Sequence, residues 1–421
     1  MSATASSTAP PAAGRSRVGL AALLCAHTIS SVGVAMTFVA MPWFVLETTG
    51  SIARTGTVVA VYTVGSAVAG FLAGPAVDRL GFKRVGVLAY LVGGAAMAAI
   101  VGLHHTGALS FAALLALVLL ATSFDAPGAV ALTGLVPGLA RASGTPLERA
   151  NAAFRGIASL SQLFGPLLGG VAAVLVGPHN VLLFDAASGA VAAVLVILLV
   201  RRPPAPPRGE RTGYLADLWQ GLRVLRRTRL LRALAATGAA HNLLDGGLVG
   251  IVLIVAAFLW YGDAASFGAM ITAFGAGALA GTVLYGGFGH RFRRRPVYLA
   301  ALVTVGLPLF ALAFAPPLPV TLAALALAGL AAAPIGPLTT SVLQQSVPVE
   351  MYGRVASTVR IIAASTSPLG VSSAAATVTV YGLQPTIAGM AVCYLVIGIG
   401  CWWSLTFHDL DADQPLAPPR D

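Results

Sequence analysis

Twelve apolar stretches dominate this chain, each long enough to cross a bilayer core, which takes about 20 helical residues. They run over 18–45, 55–77, 85–103, 108–136, 152–176, 181–200, 231–260, 265–288, 297–315, 320–343, 355–380 and 385–407. Charged residues make up only 9% of the sequence and the mean hydropathy is +0.87, an apolar load that a soluble globular fold has no means of hiding from water. In hydrocarbon every backbone polar group must be satisfied internally, which leaves helices or closed barrels. The stretches are far too long for barrel strands. The expected fold class is an all-α membrane protein with twelve transmembrane helices in two pseudo-symmetric six-helix halves, and its first partner is the lipid bilayer.

A net charge of +11 and a pI near 10.3 would point to nucleic acid in a soluble protein, so the placement of the basic residues decides. They alternate between loops. Arg15 and Arg17, then Arg79, Lys83 and Arg84, then Arg141 and Arg149, then the set from Arg201 to Arg232, then Arg291 to Arg295, and Arg354 fall on one side, with Arg54 the exception. Nucleic acid is not the expected partner. The positive-inside rule predicts a multi-pass protein of the cell membrane with both termini and the long central loop in the cytoplasm. Cys25, Cys393 and Cys401 all lie in apolar stretches without metal-ligand spacing, so neither disulfide nor zinc chemistry is expected.

The run Arg201-Arg202-Pro203-Pro204-Ala205-Pro206-Pro207-Arg208 suits a stiff linker and no membrane helix. It divides the chain into a disordered tail over 1–16, a six-helix half over 17–200, a linker over 201–230, a second half over 231–407 and a tail over 408–421. Within the linker, Leu215, Leu218, Trp219, Leu222 and Leu225 stand opposite Arg223, Arg226, Arg227 and Arg229, the pattern of an amphipathic helix on the inner membrane surface, with a solvated linker carrying a basic run as the alternative. Two echoes mark a duplication. Gly74-Pro75-Ala76-Val77-Asp78-Arg79-Leu80-Gly81-Phe82-Lys83-Arg84 returns in worn form as Gly286 to Arg295, and Pro146-Leu147-Glu148 with Pro166 returns as Pro348-Val349-Glu350 with Pro368.

The first of these loops resembles the signature between the second and third spans of the major facilitator superfamily of secondary transporters. That resemblance implies a substrate path between two halves that rock. It also implies that Gly74, Asp78, Arg79, Gly81 and Arg84 form a conformational latch, the glycines allowing a tight turn and Asp78 facing the positive end of a helix. The plainer alternative makes the basic residues topology signals. In the second copy His290 replaces the aspartate and Arg293 a glycine, so a degraded second latch is expected.

In span five, Gly165-Pro166-Leu167-Leu168-Gly169-Gly170 resembles a motif of proton-coupled exporters in that superfamily. Physically, small residues let helices approach closely and proline supplies a bend; ordinary packing is the competing reading. Phe124-Asp125-Ala126-Pro127-Gly128, Phe184-Asp185-Ala186-Ala187-Ser188 and Val347 to Val355 are similar to the branch containing macrolide efflux proteins and the enterobactin exporter. The arginine that many drug and proton antiporters carry in span four is absent, so their proton relay does not transfer.

Polar groups inside spans are costly and face a cavity or a partner. His27, Ser30 and Ser31 lie in span one, Asp125 in span four, His241, Asn242 and Asp245 in span seven, and Thr339, Thr340 and Gln344 in span ten. These are the spans that the resemblance places around the central cavity, so His27, Ser30, Asn242, Thr340 and Gln344 are candidate cavity residues. Spans three, nine and twelve read as nearly uniformly apolar supports. His241 and Asp245 share one helix face, and an imidazole beside a carboxylate can exchange a proton near neutral pH; a bracing hydrogen-bonded pair is the alternative. Asp125 stands open between a coupling role and a static pair with Arg155. Asp185 resembles a landmark of that family but reads first as helix-end packing, and His104-His105 as a wetted outer loop rather than a metal site.

The function expected is export of a small organic molecule (drug, siderophore or metabolite) by alternating access in exchange for protons, by a monomer, without bond chemistry or cofactor. A proton-coupled importer and a non-transporting sensor or scaffold are the alternatives. No Walker-type phosphate loop is present in the sequence.

Overall fold

The computed structural model describes residues 13–200, 214–404, 406, 407 and 410; the expected tails and most of the proline-rich linker lie outside them. Among the described residues the chain is helical throughout, and twelve helical segments are long and apolar enough to cross a membrane. Spans one to six are α1 (Ala13–Thr49), α2 (Ile52–Leu80), α3 (Phe82–His105), α4 (Phe111–Ser143), α5 (Leu147–Val176) and α6 (Pro178–Leu199). A linker helix, α7 (Tyr214–Arg227), follows. Span seven is α8 (Arg229–Gly247) continued through a π-helical turn (Leu248–Val252), α9 (Leu253–Ala256) and a second π turn (Ala257–Tyr261). Span eight is α10 (Ala264–Phe288), span nine α11 (Arg294–Leu312), span ten α12 (Leu318–Ala332) with α13 (Ile335–Ser346), span eleven α14 (Val349–Tyr381) and span twelve α15 (Leu383–Trp403).

Many large apolar side chains point outward: Leu160, Leu175, Leu198, Leu259, Val283, Leu369 and Val396 are all exposed. Each would be unfavourable in water by about 1.5–3 kcal/mol relative to burial, and all are at home in lipid.

Packing divides the chain into two compact units. The first holds the described residues of Met1–Phe38, Gly65–Gly165 and His179–Pro207; the second holds Val39–Val64, Pro166–Pro178 and those of Arg208–Asp421. The cuts therefore pass through spans one, two and five. Inside the second unit, Gly56 of span two packs against Ala375 of span eleven, Gly250 of span seven against Val59, and Trp43 of span one edge-on against Phe258 at 5.6 Å.

Two local expectations need correction. The signature segment is mostly helix: α2 runs through Gly74, Asp78 and Arg79 to Leu80, and a single residue, Gly81, makes the turn. Its φ of 82° and ψ of 154° lie where only glycine is at ease, so one residue suffices. Span ten is broken at Ala333 and Pro334 rather than continuous, because proline removes a backbone donor and crowds the preceding turn.

The linker helix forms at its expected place, and of its apolar residues Leu222 and Leu225 pack against protein. Leu225 is buried with Leu231, Ala235, Leu343, Val347 and Val355, with Leu222 and Val224 packed beside it. Gly221 sits against the Arg354 carbonyl and Thr358 of span eleven, and the Arg354 guanidinium donates to Gln220 Oε1. Trp219, Arg223, Arg226 and Arg227 are left on the exposed side.

Candidate functional site

Span seven carries the expected pair. His241 and Asp245 are one turn apart in α8, both part-buried and electrostatic neighbours. A third group joins them that the sequence reading missed. Tyr394, fully buried on span twelve, places its hydroxyl 3.1 Å from His241 Nδ1 and within electrostatic reach of Asp245. Spans nine and twelve, expected as nearly uniformly apolar supports, each bring one buried tyrosine hydroxyl to span seven. Tyr298 of span nine, also buried, sets its hydroxyl 2.7 Å from Thr237 Oγ1, a turn before His241. A phenol is mostly hydrocarbon with one polar tip, so both read as apolar until the partner helix is known. Asn242 donates to its own helix at Gly238 O, 2.9 Å away. Asp245 lies one residue before Gly246 and Gly247, whose missing side chains let span eleven approach at Ser367 and Gly370.

In the first unit His27 stacks on Phe154 of span five at 3.8 Å with the rings 2° from parallel, and its Nδ1 lies 3.2 Å from Ser31 Oγ. Ser30 is buried beside it. Asp125 is part-buried in span four, just before Pro127, while Arg155 is exposed. Thr340 and Gln344 are exposed on α13, Thr340 donating to its own helix at Gly336 O. The neighbouring Gln345, which the sequence reading did not single out, accepts from Arg294.

The exporter-like motif is built for close approach. Gly165 faces Ala35 of span one in the first unit. In the second, Gly170 faces the backbone of Ala264 and Ala265, and the Pro166 carbonyl lies over Gly268 of span eight. Gly169 is buried between them. The division between the two units falls between Gly165 and Pro166.

Asp78, Arg79 and Arg84 are exposed around the Gly81 turn. Lys83 beside them has its Nζ donating to Ile197 O, 2.8 Å away in the last turn of span six. A cation there offsets the negative helix end. In the second copy Arg295 donates to Trp402 O, 2.9 Å away in the last turn of span twelve. Lys83 and Arg295 occupy the same place in the two copies of the signature, so this brace repeats; the register was readable in the sequence, its target was not. His104 and His105 meet His179 of span six, with ring centroids 5.3–6.2 Å apart. Among the described residues no set of three is arranged as a metal centre.

With two six-span sets, a repeated signature turn and polar groups gathered in span seven, the molecule is a polytopic carrier. The sequence profile of the Major Facilitator Superfamily matches residues 23–261 and 240–420, and the chain belongs to that superfamily. It is similar to the multidrug efflux pump Tap of Mycolicibacterium fortuitum, 29% identical over 402 residues covering 93% of this chain and 97% of the relative. The multidrug efflux pump Tap of Mycobacterium tuberculosis (strain ATCC 25618 / H37Rv) is 28% identical over 404 residues, 95% of each chain. Among solved structures the nucleoside transporter NupG superposes with a TM-score of 0.76 at 12% identity, covering 91% of this chain and 98% of NupG. A bacterial homolog of the human lysosomal transporter Spinster gives 0.71 at 15%, covering 96% and 99%. At such identities the structures speak to fold alone. The chain is thus a multi-pass membrane transporter.

Proposed function

We propose that this transporter exports a small organic molecule from the cell by alternating access, driven by proton exchange, with both termini cytoplasmic and one chain forming the pathway. The observation that carries export is the near end-to-end similarity to proteins named as multidrug efflux pumps, and the Gly165 to Gly170 motif agrees with it. Proton coupling is assigned to Asp245 with His241. A carboxyl inside a span is costly and kept where it serves, and here an imidazole and the Tyr394 phenol give it two neighbours through which a proton can pass. Asp125, also part-buried in its span, is the reserve candidate.

In proteoliposomes, Asp245→Asn is expected to abolish uphill movement of ethidium, used as a lipophilic probe, under an imposed pH gradient while leaving downhill exchange measurable. Continued accumulation by the mutant would make Asp245 structural and move the role to Asp125. Topology is tested by single cysteines in a background lacking Cys25, Cys393 and Cys401. Positions Gly107 and Gly382 should label from outside and Pro206 should not; the reverse pattern would invert the orientation.

A further inference from the structure

The two sets of six spans handle the contact between their first and last helices in related ways. Aligning the signatures at Gly74 and Gly286 brings Gly33 of span one into sequence register with Asp245 of span seven. Aligning Gly177 and Gly382, which precede the last span of each set and share a φ of 88°, places Asp185 of span six about one helical turn before the position of Tyr394. In the second set the carboxyl belongs to span seven, and span twelve sets a phenol against His241, one turn before that carboxyl. In the first the roles are exchanged. Span six supplies the carboxyl of Asp185, and Gly33 supplies the room for it: a side chain on Gly33 would meet Asp185 Oδ1 and the Ser188 hydroxyl. Span one answers with Thr37, whose hydroxyl donates to Asp185 Oδ2 at 3.1 Å.

Asp185 lies about 10 Å along the helix from Pro178, and its carboxyl is part-buried. The groups turned toward this level are Thr37 and Gly33 from span one and Ser188 from its own helix, which donates to the Asp185 carbonyl at 2.8 Å. Span three packs alongside through Gly94 against the Ala186 carbonyl and through the Tyr90 carbonyl against Gly189. No charged side chain is among the contacts of Asp185 in the described residues. A permanently ionised carboxylate inside a span calls for a cation or a water-filled path, whereas a carboxyl that takes up and gives up a proton needs a hydroxyl neighbour able to bond either form, and Thr37 is one.

We propose that Asp185, held by Thr37 across spans one and six, is a second protonation site of the transporter, the first set's counterpart of Asp245. The proposal deepens the proton-coupled reading above and rests on it for its role in transport, but the protonation itself is measurable without substrate. The experiment is infrared difference spectroscopy of the full-length protein in liposomes, stepped from about pH 5 to about pH 8, with the proton as the only ligand. The expected spectrum contains a protonated-carboxyl band that titrates, disappears in Asp185→Asn and moves to higher wavenumber in Thr37→Val, where the carboxyl keeps Ser188 but loses its hydroxyl partner on span one. The Thr37 variant assigns the band even if Asp185→Asn does not fold. A spectrum unchanged by both variants, or an Asp185 band that stays constant over the range, overturns the proposal and leaves Asp185 as a fixed brace. A titrating Asp185 band alongside continued gradient-driven transport in Asp245→Asn would defeat the assignment of coupling to Asp245 without touching this one.

Discussion

The two copies of the signature segment differ in how they turn the chain and agree in what they hold. In the first, α2 passes into α3 through Gly81 alone. In the second, Arg293 stands where that glycine would be, and the chain instead takes a 3-10 turn over Gly289–Arg291 with Phe292 and Arg293 extended before α11 begins. A side chain cannot adopt the Gly81 geometry cheaply, so losing the glycine costs a compact turn and substitutes a longer one. The acid is gone as well, replaced by His290. Yet Lys83 and Arg295 still reach a carbonyl in the last turn of span six and span twelve respectively. Duplication has relaxed the turn and the acid and kept the brace, which separates the part of the signature that assembles a six-span set from the part specific to the first.

The comparison can be broken at three points. The largest effect is expected at the turn itself: Gly81→Ala should destabilise the protein by about 1–3 kcal/mol, the usual cost of forcing a side chain into glycine-only backbone, whereas Arg293→Ala should be close to neutral. Thermal unfolding in detergent compares them, and equal losses would mean that the turn geometry is immaterial. Next, Asp78→Asn should lower transport by about tenfold, corresponding to roughly 1.4 kcal/mol of lost bias between conformations, at undiminished membrane abundance. His290→Asn should change it far less. Similar transport defects at matched abundance would show that the second copy still latches. The smallest effect belongs to the brace. Lys83→Met and Arg295→Met should each cost about 0.3–1 kcal/mol of stability and, holding different carbonyls, Ile197 O and Trp402 O, should add; a strongly non-additive double variant would show that the two braces report on one element.

Much of this molecule was legible before its coordinates, and the reasons are physical. Hydrocarbon imposes length and apolarity on each span independently, so the number of spans and their rough limits follow from local sequence. The charged alternation and the two echoes likewise need no tertiary information. What stayed hidden was whatever depends on a partner helix. Tyr394 and Tyr298 look like ordinary apolar-span residues until His241 and Thr237 are found beside them. Lys83 looks like a topology charge until Ile197 O is found at its tip. His179 gave no sign that it would meet His104 and His105. The linker helix was visible in its periodicity, but periodicity did not show that Leu225 would be buried against Leu231, Leu343 and Val355. The partner of Asp185 was hidden in the same way, because the hydroxyl that donates to it lies on span one.

Span seven is not uniform in pitch, and that bears on how its two ends communicate. Each of its π turns, at Leu248–Val252 and Ala257–Tyr261, carries surplus backbone relative to an α-helical turn. Such a surplus can travel along a helix by exchanging hydrogen bonds one at a time while both ends keep their anchors. Every residue it passes is rotated by about 100° about the axis, the angular step of one residue. His241 and Asp245 lie on one side of the first wide turn, and Phe258, Trp260 and Tyr261 lie in the second. Migration of the first turn toward Arg229 would swing the carboxylate away from Tyr394 and back without unfolding the span, making this helix a screw thread whose setting is read out as the company Asp245 keeps.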